Sequence, residues 1–70
     1  MSTMQERLQD VRKEAGLGQK EIAAALGITQ QQYSLYETGK RTIPADILKD
    51  ICKILNVSAD YILGLPENKK

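Results

Sequence analysis

The sequence predicts an all-α fold of five short helices, and three observations carry that prediction. Apolar residues recur at three- and four-residue spacing from Met4 to Leu63, and nowhere alternate over the length of a strand. Between these stretches stand residues that stop or start helices: Gly16, Gly27, Pro44, Asn56 and Gly64. Three apolar pairs five residues apart bracket predicted helix starts: Leu17 with Ile22, Ile28 with Tyr33, and Val57 with Ile62. Five is the spacing that links the residue before an N-cap to the fourth residue of the helix, the hydrophobic staple. Helices this short are not stable alone in water, so caps and tertiary packing must hold them.

Helix one is expected from Met4 to Ala15, with Met4, Leu8 and Val11 on one face and Gly16 ending it. Helix two starts at Gln19 and buries Ile22, Ala23 and Leu26. Ala23 falls where the next helix crosses, and a larger side chain there would push the two apart. Gly27 ends helix two, where a left-handed residue is cheapest. Thr29 supplies the N-cap of helix three, Gln32 completes a capping box, and Tyr33 and Tyr36 face inward. Two short helices packed in this way make a helix-turn-helix.

A loop over Lys40 to Ile43 leads to Pro44, expected as the first residue of helix four, where its missing N–H costs nothing. Ile47, Leu48, Ile51, Ile54 and Leu55 of that helix point inward or nearly so, and Asn56 suits its C-terminal cap. Ser58 caps helix five, which ends near Gly64. Residues 1–65 thus form one domain, and 66–70 are a polar tail expected to fray.

Seventy residues bury only about 60% of their unfolded surface, so the core has to be small and efficient. No stretch has the length of a membrane span or signal peptide, and a soluble, cytoplasmic protein is expected. The single Cys52 excludes an intramolecular disulfide and reads as a small core or boundary residue. With no His, no glycine-rich phosphate loop and no carboxylate pair that implies a buried site, neither an enzyme nor a metal or other cofactor is expected.

Ten Lys and Arg against nine Asp and Glu leave a net charge of only +1, low for a protein that binds a polyanion. Distribution matters more than the sum. Lys40 and Arg41 follow helix three and Lys20 lies near the start of helix two, while Asp46, Asp50 and Asp60 fall later. Helix three leaves Gln30, Gln31, Ser34 and Leu35 exposed, a mostly uncharged edge where an ordinary solvated helix would carry Glu and Lys. Glutamine can pair with adenine through N6 and N7, Leu35 suits a thymine methyl group, and Ser34 is small enough to permit close approach.

Over residues 4 to 65 the chain resembles the helix-turn-helix domain of the lambda-type repressor and Cro family, the XRE regulators. The resemblance rests on the Gln19 to Thr38 segment and on Arg12 before it. It rests also on the run Glu37, Thr38, Gly39, Lys40, on Pro44 followed by an apolar helix, and on the stretch from Val57 to Leu63. It implies a compact five-helix DNA-binding domain whose helix from Thr29 to Glu37 reads the major groove. Gln30, Gln31, Ser34 and Leu35 would then touch bases. Gln19, Thr29, Thr38, Lys40 and Arg41 would touch phosphates, with Gln19 also bracing Gln30. Arg12 and Glu37 would form a structural salt bridge. Gly18 departs from the family, which usually has Ser, Thr or Asn there, and leaves backbone N–H groups alone to meet an anion.

The implied function is sequence-specific transcriptional regulation, repression more commonly than activation, by a homodimer on a palindromic double-stranded DNA operator. Ile62, Leu63 and Leu65 are expected to supply the dimerisation patch. No small-molecule ligand is expected, so a signal would arrive through concentration, a protein partner or proteolysis. The alternative is a protein-interaction module of the same fold, such as an antitoxin or regulator-binding factor, which the near-neutral charge favours.

Overall fold

Five helices follow one another: α1 (Met4–Glu14), α2 (Gln19–Leu26), α3 (Gln30–Glu37), α4 (Ala45–Leu55) and α5 (Ala59–Leu63). They come from a computed structural model of the chain, which describes residues 3–64. Each begins where the backbone donors of its first turn find an acceptor or the helix field an opposite charge. Thr3 caps α1 in a full capping box: its hydroxyl accepts the Glu6 N–H at 3.1 Å, and the Glu6 carboxylate accepts the Thr3 N–H at 2.9 Å. At α3 the Thr29 hydroxyl oxygen accepts the Gln32 N–H at 3.0 Å, and Gln32 does not return the bond. The reciprocal box expected at Thr29 is therefore only half made, and the complete one stands at α1. Ser58 caps α5 by accepting the Tyr61 N–H at 3.1 Å.

Pro44 is the N-cap of α4 and not its first helical residue. Its φ of −63° would suit a helix, but its ψ of 151° is extended, so only its carbonyl enters the ladder, accepting the Leu48 N–H at 2.9 Å. Proline has no side-chain acceptor, and Asp46 makes good the lack by taking the Ile47 N–H at 3.0 Å. Ile43 and Leu48 bracket this cap at the staple spacing as well, a fourth pair beyond the three read from the sequence. At the other end, Asn56 closes α4 in the left-handed region at φ 58°, which asparagine tolerates better than other non-glycine residues.

All five helices and the α3–α4 loop contribute to one core: Leu8, Val11, Ile22, Ala23, Tyr33, Tyr36, Ile43, Ile51, Leu55 and Ile62. α2 is central to the packing, touching both α3 and α4, while α1 rests on α3 and α5. Ala23 is 1% exposed. Leu17, Ile28 and Val57, the outer members of the three staples, pack half-buried against the core.

Ile62 corrects the expected dimerisation patch. It is fully buried, because the five-residue α5 packs against α1 and, of its two adjacent aliphatic residues, turns Ile62 into the core and Leu63 outward. Leu63 is 42% exposed, and Tyr61 beside it is 44% exposed. Leu65 and the tail lie outside the described residues. Arg7 fastens this corner by donating from Nε to the Ile62 carbonyl at 3.1 Å. Gly64 adopts φ 76°, which favours glycine, and a β-carbon there would displace the Arg7 guanidinium that lies against it.

Replacing Ile62 with Ala is expected to cost about 2–4 kcal/mol in a denaturant melt, the range for a truncated core isoleucine. Leu63→Ala should cost under about 1 kcal/mol. Equal losses would mean that α5 is not seated as described.

Candidate nucleic-acid interface

Glu37 is the last residue of α3, where a negative charge opposes the helix field. It is also 1% exposed. A carboxylate in that position has to be matched by donors, and four surround it. Arg12 grips it bidentately, Nε to Oε2 at 2.7 Å and Nη2 to Oε1 at 3.1 Å. The Tyr33 hydroxyl donates to Oε2 at 2.8 Å, and the Gln19 amide donates to Oε1 at 2.9 Å. Arg12 further donates from Nη1 to the Leu17 carbonyl at 2.8 Å. The cluster joins α1, the α1–α2 turn, α2 and α3. Among the described residues no buried side-chain nitrogen or oxygen is left without a partner.

The ionisation of the cluster follows. Burial raises the Glu37 pKa, but hydrogen bonds from Arg12, Gln19 and Tyr33 and the charge of Arg12 outweigh it, so the carboxyl titrates below its ordinary value. The hydrogen bond to Glu37 raises Arg12 against the lowering effect of its own burial. Burial first, and then its bond to Glu37, push the Tyr33 hydroxyl well above its ordinary value.

Around this cluster stand the residues singled out in the sequence. Gln30 and Gln31 are exposed in the first turn of α3, and Ser34 and Leu35 are half-exposed in the next turn. Thr29 is exposed, and because its oxygen accepts from Gln32, its hydroxyl proton remains to be donated. Thr38 differs: its hydroxyl donates to the Ser34 carbonyl at 2.8 Å and would have to turn away to meet a phosphate. Lys40 and Arg41 are exposed in the following turn, and the Arg41 N–H is fixed to the Leu35 carbonyl at 3.1 Å. That turn passes Gly39, at φ 81° and close to the Gln5 side chain of α1.

Gln19 is half-buried, and one amide hydrogen is committed to Glu37, which leaves its other hydrogen and its oxygen for further contacts. At the start of α2, Gly18 caps without a side-chain bond, and the Glu21 carboxylate lies against it. The anion expected at this helix start is thus partly anticipated by a side chain of the helix itself. Sequence reasoning missed Tyr33 and Gln19 as members of the Glu37 cluster. Tyr33 had a local signal, because a residue four before Glu37 on a helix shares its face.

A family profile described as Helix-turn-helix matches residues 8–62. The chain belongs to the XRE helix-turn-helix family. The uncharacterized HTH-type transcriptional regulator YqaE of Bacillus subtilis (strain 168) is 42% identical over 65 residues, covering 93% of this chain and 56% of that protein. The HTH-type transcriptional regulator ImmR of the same strain is 41% identical over 64 residues, covering 91% of this chain and 50% of its own. The SPbeta prophage-derived uncharacterized regulator YonR, also from that strain, is 41% identical over 58 residues, 83% of this chain and 54% of that one. The chain spans about half the length of these curated relatives.

Within this helix-turn-helix domain, no helix among the described residues is long and apolar enough to cross a membrane. Cys52 is half-buried on α4, and burial pushes its thiol pKa up.

Because the Glu37 pKa is lower in the folded than in the unfolded chain, its contribution is complete above the unfolded carboxylate value of about 4.3. It is lost as pH falls through the folded value. Glu37→Gln should cost about 3 kcal/mol at neutral pH, since it leaves the Arg12 charge buried without its counter-ion. Its stability should then fall less steeply than wild type below pH of about 4. Denaturant melts across that range measure both, and identical acid limbs would assign the acid sensitivity to other carboxylates.

Proposed function

We propose that this domain binds double-stranded DNA sequence-specifically as part of a transcriptional regulator, with α3 in the major groove. One observation carries the reading. The outer edge of α3 offers uncharged hydrogen-bonding groups to solvent, while its inner edge is fixed by Tyr33, Tyr36 and Glu37. A helix placed so firmly presents Gln30 and Gln31 in a constant position, as recognition of the adjacent donor and acceptor of adenine demands. Ser34 and Leu35 continue that edge toward a close backbone approach and a thymine methyl group.

Gln19, Thr29, Lys40 and Arg41 are proposed to meet flanking phosphates, and Thr38 joins them on rotating its hydroxyl. With a net charge of +1, the phosphate contribution is modest and base contacts carry more of the affinity. Two copies on a palindromic site would place their α3 helices about 34 Å apart, one turn of DNA. Occlusion of a promoter by such a dimer is repression.

Gln30→Ala or Gln31→Ala should cost about 1–3 kcal/mol on an operator selected from random DNA, with non-specific binding nearly unchanged. Both side chains are exposed, so melting should not move. Gel shifts in which both variants hold the selected operator as tightly as wild type would refute base reading by α3.

Lys40→Ala and Arg41→Ala should weaken selected and random DNA alike, because a phosphate looks the same beside every base pair. Each should reduce the salt slope of binding by about one for every phosphate that the side chain neutralises. Unchanged slopes in a salt titration would place the turn away from the backbone.

A further inference from the structure

The described surface carries an open groove of about 460 Å³ along α4, unrelated to the α3 edge. Its floor is apolar: Ala45, Leu48 and Cys52 from α4, and Val57 and Ala59 from the start of α5. Its rim carries Lys49 and Lys53, both exposed. At about 100° per residue these α4 positions form a single stripe, flanking the core stripe of Ile51 and Leu55. No carboxylate lines the groove. Asp46 and Asp50 lie beyond the lysine rim, and neither lysine is ion-paired to them or to any other described group.

We propose that this groove docks an acidic amphipathic helix of a partner protein. An open trough whose rim is exposed along its length cannot enclose most of a small molecule, as ligand pockets do, but it matches the apolar ridge of a helix. The charge then selects the helix. Lys49 and Lys53 stand one turn apart on the same face, with β-carbons about 5–6 Å from each other, and two carboxylates four residues apart on the partner reproduce that spacing. A second copy of this chain fits less well. A two-fold contact sets the same patch against itself, so Lys49 and Lys53 would meet their counterparts with no lining carboxylate between them.

The test sorts a displayed library of amphipathic helical peptides about 16 residues long, ~24 Å, against the full 70-residue chain. The ridge is Leu, and every polar position is drawn from Glu, Gln and Lys. Selected peptides should carry Glu pairs four apart, and their binding should weaken at least about tenfold in the double variant Lys49→Glu, Lys53→Glu. Both lysines are exposed, so circular dichroism should show an unaltered fold. Amide shifts on binding should gather at Leu48, Cys52 and Val57. Selection of basic or charge-indifferent peptides, no selection at all, binding that survives the charge reversal, or shifts centred on α3 would each overturn the proposal. So would a dimer in light scattering that Leu48→Glu abolishes, because the occupant would then be a second copy.

Discussion

The Glu37 carboxylate is the constraint on which this domain turns. An ionised carboxylate offers about four acceptor sites, and here all four are taken, two by Arg12, one by Tyr33 and one by Gln19. Each donor comes from a different place: Arg12 from α1, Gln19 from the first turn of α2, Tyr33 from the preceding turn of α3. The charge sits at the wrong end of α3 for the helix field and out of water, so it is tolerable only while all these donors are present. That makes the arrangement close to all-or-none. A shift of any of the three helices would leave a buried charge or a buried donor unmatched, at a cost far above that of a shifted apolar contact.

Such a lock matters because its helices are too short to position themselves. α2 and α3 have eight residues each, below the length at which a helix persists alone in water. Apolar packing of Ile22, Ala23 and Tyr33 brings them together, but it is non-directional and would tolerate sliding. The bidentate Arg12 grip has direction as well as strength. Packing therefore sets how closely α3 lies on the domain, and the polar cluster sets its rotation and register. The exposed edge from Gln30 to Leu35 inherits both.

Most of the fold is legible in the sequence because its signals are local. Gly27 and Asn56 adopt the left-handed conformations that mark helix ends, and Thr29 and Ser58 accept from the third residue of the helices they precede. Pro44 falls one position from its expected place because its fixed φ fits an N-cap and a first helical residue equally well, and only ψ separates them. Ile62 departs from expectation for a different reason. Its staple with Val57 argues for burial, its place near the C-terminus for exposure, and the contact of α5 with α1 that decides between them is 55 residues distant in the chain at the Arg7 to Ile62 bond. In the candidate site, the exposure of Gln30 and Gln31 follows from helical spacing, but the bond from Gln19 to Glu37 spans 18 residues and two helices. No periodicity encodes a contact of that kind.

The two candidate surfaces share no residue, and the packing keeps them apart: α3 rests on α1 and α2, and α4 on α2 and α5. An occupant of the α4 groove would change the affinity of the α3 edge only to the extent that it bound two states of the domain differently. The Glu37 cluster leaves little room for a second state of α3, since its donors have no alternative acceptor of equal strength. Coupling through the protein is therefore expected to be weak. A partner on α4 would act on recognition by its bulk or its charge, through steric exclusion beside the DNA or a change in the field along it. Acidic residues docked on Lys49 and Lys53 would remove positive charge from a domain whose excess is a single unit. At low ionic strength, where that field reaches farthest, such a partner would weaken DNA binding without touching a base-reading side chain.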